Sequence, residues 1–110
     1  RAVVLGSPVY FNNVSAQLKA FMDRTWCVRD RLKNRIGGAI VVGRRYGAES
    51  AITAIQSYFT KLEMIPANRG VSGIAFEAGE IRDDEEACAA TERLAHRILE
   101  LLDVMQADAL

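Results

Sequence analysis

The sequence has one histidine, two cysteines and two prolines among 110 residues, and no apolar run approaches the ~20 residues of a membrane span. Each scarcity removes a class of function. His96 stands alone between Ala95 and Arg97, reads as a surface residue of a helix, and leaves no His/Cys/carboxylate cluster for a metal site. No Ser or Cys sits in a G-x-S-x-G context, so there is no nucleophile elbow, and no catalytic residue is named from the sequence. Cys27 and Cys88 are far apart and lack C-x-x-C spacing, so they are expected to be two small buried thiols in a reducing, cytoplasmic compartment. Internal repeats, low-complexity tracts and the signatures of RRM, KH or zinc-finger modules are also missing, and neither a nucleic acid nor a membrane is expected as a partner.

What is present is one compact domain's worth of apolar residues, 50% of the chain, under a net charge of zero. The charge is segregated. Residues 1–45 hold nine Lys/Arg against two Asp/Glu, whereas residues 46–110 hold five against twelve. Arg24, Arg29 and Arg31 cluster where a helix is expected to end, and Asp83, Asp84, Glu85 and Glu86 where another begins, as helix dipoles favour.

Ala2–Leu5 is apolar without alternation and reads as an interior strand covered on both faces. A loop over Gly6–Asn13 follows, then a helix capped by Asn13 or Ser15, with Leu18, Phe21, Met22, Thr25 and Trp26 on one stripe and an end near Arg29. Gly38–Val42 reads as a second buried strand, Gly43–Ala48 as a turn, and Ile52, Ile55, Tyr58, Phe59 and Leu62 mark a second helix. Met64–Ala67 reads as a third strand, placed at the sheet edge by Pro66. Val71–Phe76 has some strand character between glycines, and reads equally as a loop with a short extended piece. Asp83 with Glu86 suggests a capping box for a last helix, marked by Ala87, Thr91, Leu94, Ala95, Ile98, Leu101 and Leu102 and running to about Met105. The order β-α-β-α-β-α gives an α/β fold with a parallel sheet and right-handed crossovers. Because the chain enters an interior-type strand within one residue, the domain is expected to be truncated at its N-terminus.

In such a sheet ligands bind at the carboxyl ends of the strands, where Ser7–Val14 and Gly43–Ser50 fall. Tyr10 and Phe11 offer faces for stacking, Asn12 and Asn13 offer amides, and Arg44 and Arg45 can neutralise an anion. The same loops also fit an ordinary strand-to-helix turn with an Asn cap and a basic surface. Leu5-Gly6 and Val42-Gly43 carry no strand-end carboxylate, which excludes a phospho-acceptor receiver.

The stretch L-G-S-P-V-Y-F-N-N-V-S-A-Q-L-K-A-F-M-D-R-T, Leu5–Thr25, resembles the segment after the third strand of NADPH-dependent FMN reductases and iron–sulfur flavoproteins of the flavodoxin-like superfamily. Quinone reductases of the tryptophan-repressor-binding type are similar there. I-V-V-G-R-R-Y-G-A-E-S-A-I resembles the family's fourth strand and G-G-Q-E loop, with Ala48 and Ser50 as departures. E-M-I-P-A-N resembles its fifth strand, and G-E-I-R-D-D-E-E-A the lead into its last helix.

The resemblance implies that residues 1–110 are the C-terminal portion of a flavodoxin-like FMN-binding domain, an α/β fold of parallel sheet and flanking helices. Ser7, Pro8, Val9, Tyr10, Phe11, Asn12 and Asn13 would line the flavin ring, and Gly43, Arg44, Arg45, Tyr46 and Gly47 would close the other side. Asn12 stands where many relatives have Gly. The implied activity is an FMN-dependent oxidoreductase taking electrons from NAD(P)H to a quinone, flavin or iron–sulfur centre, in a homodimer or homotetramer. The alternatives are an iron–sulfur flavoprotein electron carrier without nicotinamide turnover, whose cluster would lie upstream, and a non-catalytic interaction module. Cys27 and Cys88 do not match the cluster motif. With the phosphate-gripping loop expected before Arg1, these residues alone should bind FMN weakly or not at all.

Overall fold

Strand β2, Ile36–Gly43, carries the molecule, and period-2 alternation sends its side chains to two separate cores. Ala39 and Val41 join Leu5, Val14, Met22, Ile52, Ile55 and Phe59 on one face. Ile36 and Ile40 join Val71, Leu94 and Ile98 on the other. In the computed structural model, which describes residues 1–108, helices α1 (Ala16–Arg24) and α2 (Ala48–Lys61) cover the first face and α3 (Glu85–Asp108) the second. The result is a three-layer α/β arrangement whose strand pairs are all parallel.

β1, Ala2–Pro8, pairs with β2 along its whole length, from Ala2 opposite Ile36 to Pro8 opposite Val42. It is longer than the expected Ala2–Leu5, taking in the first residues of what reads as loop. Among the described residues it pairs on one edge only, and its burial alternates: Leu5 and Ser7 are buried while Val4 is half exposed.

The third strand is the larger correction. Met64–Ala67 contributes only the two-residue β3, Ile65–Pro66, and the main pairing belongs to β4, Val71–Ile74. Both lie along the same side of β2, β3 against Ile36–Gly37 and β4 against Ile40–Gly43. The break between them is a local turn in which the Asn68 side chain accepts from the Gly70 N–H at 2.8 Å. Pro66 does fall on an edge strand.

Helix ends follow short-range hydrogen bonds. Ser15, not Asn13, caps α1 and accepts from the Leu18 N–H at 3.2 Å. α1 ends at Arg24 and gives way to a 3-10 stretch, Thr25–Arg31, anchored where the Thr25 hydroxyl meets that of Tyr58 at 2.7 Å. The expected stripe therefore splits: Met22 is buried, but Phe21 and Trp26 are half exposed. Phe59, on the inner face of α2, is wholly buried. Cys27 and Cys88 are both exposed, because the 3-10 stretch has no buried residue and Cys88 lies off the buried stripe of α3. His96 is exposed.

The cap of α3 is Asp84 rather than Asp83, which still belongs to a 3-10 turn, Glu80–Asp83. One Asp84 carboxylate oxygen accepts from the Ala87 N–H at 3.0 Å, and the other from the Ile74 N–H at 2.8 Å, on the outer edge of β4. The backbone donors of Ala87 and Ile74 hold its pKa below the ordinary value of 3.8. A depressed carboxylate stabilises the fold above its unfolded-state value and loses that contribution as pH falls through the folded one. Asp84→Asn should lower the urea midpoint at neutral pH, and the gap from the parent chain should close as the pH drops below 3.8. Urea melts across that range test this; a gap independent of pH would mean that the charge of Asp84 plays no part.

Candidate functional site

The carboxyl ends of β1, β2 and β4 open together into a cleft of about 860 Å³. Nine of the expected residues line it: Ser7, Pro8, Val9, Tyr10, Phe11, Asn12, Gly43, Arg44 and Tyr46. Asn13, Arg45 and Gly47 do not. The third wall, Ala75–Gly79 with Ile81, is not among the residues expected from the sequence, where glycines on either side blur the strand character of β4. A signal exists in the apolar character of Val71–Phe76, which ends at the same level as the other two strands.

Beyond β1 the chain makes a two-residue turn. Tyr10 and Asn13 exchange backbone hydrogen bonds of 2.9 and 3.0 Å, with positive φ at the two residues between them, 48° at Phe11 and 63° at Asn12, the pattern of a type I′ turn. Asn tolerates this region through its short polar side chain, so Asn12 fits the second positive-φ position of the turn. Phe11 has no such tolerance, and its strained backbone holds a fully exposed ring at the mouth. Asn13 is spent inside the turn, its side chain accepting from the Val14 N–H at 2.8 Å.

Ser7 is a brace. It is buried, its hydroxyl donates to the Pro8 carbonyl at 2.7 Å and accepts from the Ser15 N–H at 2.9 Å, tying β1 to the cap of α1. Its contribution to the cleft is therefore backbone rather than a free hydroxyl. The Val9 N–H donates to the Val42 carbonyl at 2.9 Å and extends the β1–β2 ladder to the cleft floor.

Arg44 reaches across the opening. Its guanidinium lies 6.0 Å from the Phe76 ring centroid and donates to the Phe76 carbonyl at 3.4 Å, joining the second wall to the third. Glu80 organises that third wall, its carboxylate accepting from the Phe76 and Glu77 N–H groups at 3.2 and 2.9 Å. Tyr10, Phe11, Tyr46 and Phe76 are all exposed around the mouth. The backbone N–H groups of Phe11, Asn12 and Arg44–Gly47 find no acceptor among the described residues. An apolar, aromatic-rimmed cleft with unspent backbone donors suits a flat ligand with a polar edge. No His/Cys/Asp/Glu group among the described residues is placed to hold a metal ion.

The fold and cleft define a flavodoxin-like protein, and the solved structures agree. The tryptophan repressor binding protein of Bacillus subtilis superposes with a TM-score of 0.72 at 23% identity, over 83% of this chain and 62% of that one. Rubredoxin:oxygen oxidoreductase of Desulfovibrio gigas matches 96% of this chain and 24% of its own, with a TM-score of 0.74 at 17% identity. By sequence the chain belongs to the NADPH-dependent FMN reductase family, whose profile matches residues 1–79. An iron–sulfur flavoprotein of Methanocaldococcus jannaschii is 34% identical over 115 residues, 94% of this chain and 60% of the relative. One from Archaeoglobus fulgidus is 31% identical over 96% of this chain and 62% of its own. The NAD(P)H dehydrogenase (quinone) of Paracoccus denitrificans is 33% identical over 76% of this chain and 40% of its own. This chain thus spans about three fifths of the curated iron–sulfur flavoproteins it matches.

Although Gly47 does not line the cleft, it sets the distance between the first two walls. It has φ of 85°, and a Cβ there would sit 2.5 Å from the Asn12 Oδ1 and 2.7 Å from its Cα. Gly47→Ala should therefore destabilise the chain by about 1–3 kcal/mol. Asn12→Gly in the same background should recover part of the loss, because it removes the clash with Oδ1 and leaves the clash with the Asn12 main chain in place. Chemical denaturation of the two single variants and the double variant closes the cycle; strict additivity would show that the walls are not coupled here.

Proposed function

We propose that this chain forms the ring-binding part of an FMN-dependent oxidoreductase that takes electrons from NAD(P)H to a small-molecule acceptor such as a quinone or a flavin. Family membership supports the flavin. The observation that carries the assignment of residues is the convergence of three strand ends on one aromatic-rimmed cleft with unspent backbone N–H groups.

FMN, when bound, supplies the electron-transfer chemistry. The chain's own part is placement. Tyr10 would flank the ring and Pro8, Val9 and Gly43 would floor it, while the N–H groups of Phe11, Asn12 and Arg44–Gly47 would meet its polar edge. Phe11, Tyr46 and Phe76 would keep water from the reacting face. Arg44, already tied to the third wall, would fix the spacing of the opening and favour negative charge there. A cytoplasmic setting fits two exposed thiols, which stay reduced in that compartment.

A second reading has its own support. Several relatives, including the two archaeal ones named with their identities, are iron–sulfur flavoproteins by name. On that reading the chain passes electrons between its flavin and a cluster held by residues outside 1–110, without nicotinamide turnover.

In a full-length protein that includes these residues, Tyr10→Ala should weaken FMN binding by about 1–2 kcal/mol, roughly five- to thirtyfold, and alter flavin absorbance or fluorescence. Titration with FMN followed by fluorescence quenching tests it. Unchanged affinity and spectrum would place Tyr10 away from the ring. Reduction of bound flavin by NADPH or NADH under anaerobic conditions separates the reductase from the carrier.

A further inference from the structure

The second core is filled unevenly. Farther along α3, Leu94 and Ile98 are buried against Ile36 and Val71, but at the start of the helix the buried residue is only Ala87. Beside Ala87, β4 contributes Gly73, where a Cβ would lie 3.2 Å from the Ala87 Cβ and 2.4 Å from the Ile81 Cδ1. Ile81 takes up part of the room that Gly73 leaves. The rest is a cavity of about 60 Å³ among Ile40, Val42, Val71, Gly73, Ile81 and Ala87, with the exposed Cys88 and Thr91 on its solvent side. Well-packed interiors hold few voids larger than a water molecule.

Chemistry and size together restrict what this cavity can take. The Thr91 hydroxyl is spent on the Ala87 carbonyl at 2.8 Å and the Cys88 thiol faces the Ile81 carbonyl at 3.9 Å, and every other side chain in the lining is apolar. A water molecule needs about two to four polar partners, and this lining has none free. The volume equals the share of about two waters at ~30 Å³ each, which is too small for a ring but enough for an apolar molecule of about two heavy atoms. Ile40, Val42 and Ile81 also line the cleft, so Ile81 is a wall common to both spaces. That wall is fixed, because Ile81 lies on the 3-10 turn whose neighbours Glu80 and Asp84 are held by backbone N–H groups.

We propose that the cavity is a binding site for dioxygen, entered past Cys88 and Thr91 and divided from the cleft by Ile81. Dioxygen is small, uncharged and apolar, and it gives up no strong hydrogen bonds on leaving water. Held there, it lies one side chain away from the space in which three strand ends converge. The site rests on its own lining and not on the flavin reading, so either can fail while the other stands.

Methyl NMR of a full-length protein that includes these residues, under pressure first of xenon and then of dioxygen, tests the proposal. Xenon enters dry apolar cavities, and it should shift the methyl resonances of Val71, Ile81 and Ala87 saturably with pressure. Dioxygen is paramagnetic and should broaden the same resonances. Those of Ile52 and Ile55, in the other core, should respond to neither gas. Val71→Leu and, separately, Ala87→Val each place extra carbon in the cavity and should abolish both responses, while circular dichroism and the Ile52 and Ile55 resonances confirm folding. A lack of saturable response, an equal response in both cores, or responses that survive in both filled variants would overturn the proposal. So would xenon shifts without broadening by dioxygen, since the cavity would then be a packing gap that takes xenon alone.

Discussion

The structure depends on how closely two helices approach one strand. A Cβ on Gly37 would lie 2.7–2.8 Å from the Phe59 ring, and one on Gly38 would lie 3.3 Å from Leu94, on opposite faces of β2. Adjacent residues without side chains thus let α2 and α3 settle directly onto the strand. Phe59 has no exposed surface and Leu94 has 2%. Burying a side chain of that kind stabilises by about 1.5–3 kcal/mol, and close packing makes the site sensitive to a single methyl group. β2 is consequently the fixed reference against which β1 and β4 are registered, Pro8 opposite Val42 and Ile74 opposite Gly43. Three strand ends finish at one level because each is held to the same strand.

That level surface explains why the cleft is built from backbone as much as from side chains. A loop leaving a buried strand must either satisfy its N–H groups or aim them at something polar. The turn over Tyr10–Asn13 satisfies those of Tyr10 and Asn13 and leaves those of Phe11 and Asn12 without an acceptor. Positive φ at the same two residues is a local cost borne at the point where the aromatic ring is presented, with Gly47 pressed against Asn12 from the second wall. A rigid, partly strained turn is suited to orienting a planar ligand, because little ordering is left to be done on binding.

The legible parts of the sequence were those in which local rules and tertiary packing agree. The buried stretch Gly38–Val42, the amphipathic α2 and the loop motif beginning at Ser7 were all readable, since burial, periodicity and turn chemistry point the same way there. Legibility failed where one residue's hydrogen bond decided the outcome. Asp83 and Asp84 are indistinguishable by spacing, yet only Asp84 reaches both Ala87 and Ile74. The Asn68–Gly70 turn splits one strand position into β3 and β4, and with that split unseen the third wall of the cleft stayed hidden. The cysteines failed for another reason. A small apolar residue is usually buried, but Cys27 lies in a 3-10 stretch stacked outside both cores.

Asp84 shows how the outer edge of the sheet and the cleft are joined. β4 would otherwise present an unpaired N–H at Ile74, one residue before the wall formed by Ala75–Gly79. By accepting from Ile74 and from Ala87, a single carboxylate closes that edge position and starts α3, so the helix that covers the second core begins at a point fixed by the strand. The segment between them is then too short to wander, and Glu80 ties down its middle through Phe76 and Glu77. The third wall owes its shape to acidic side chains accepting from backbone N–H groups, the second to Arg44 donating to a backbone carbonyl, and the first to the Ser7 hydroxyl doing both. In each case a polar side chain is consumed in holding main chain in place, which leaves the interior of the cleft apolar and its remaining hydrogen-bonding capacity on the backbone.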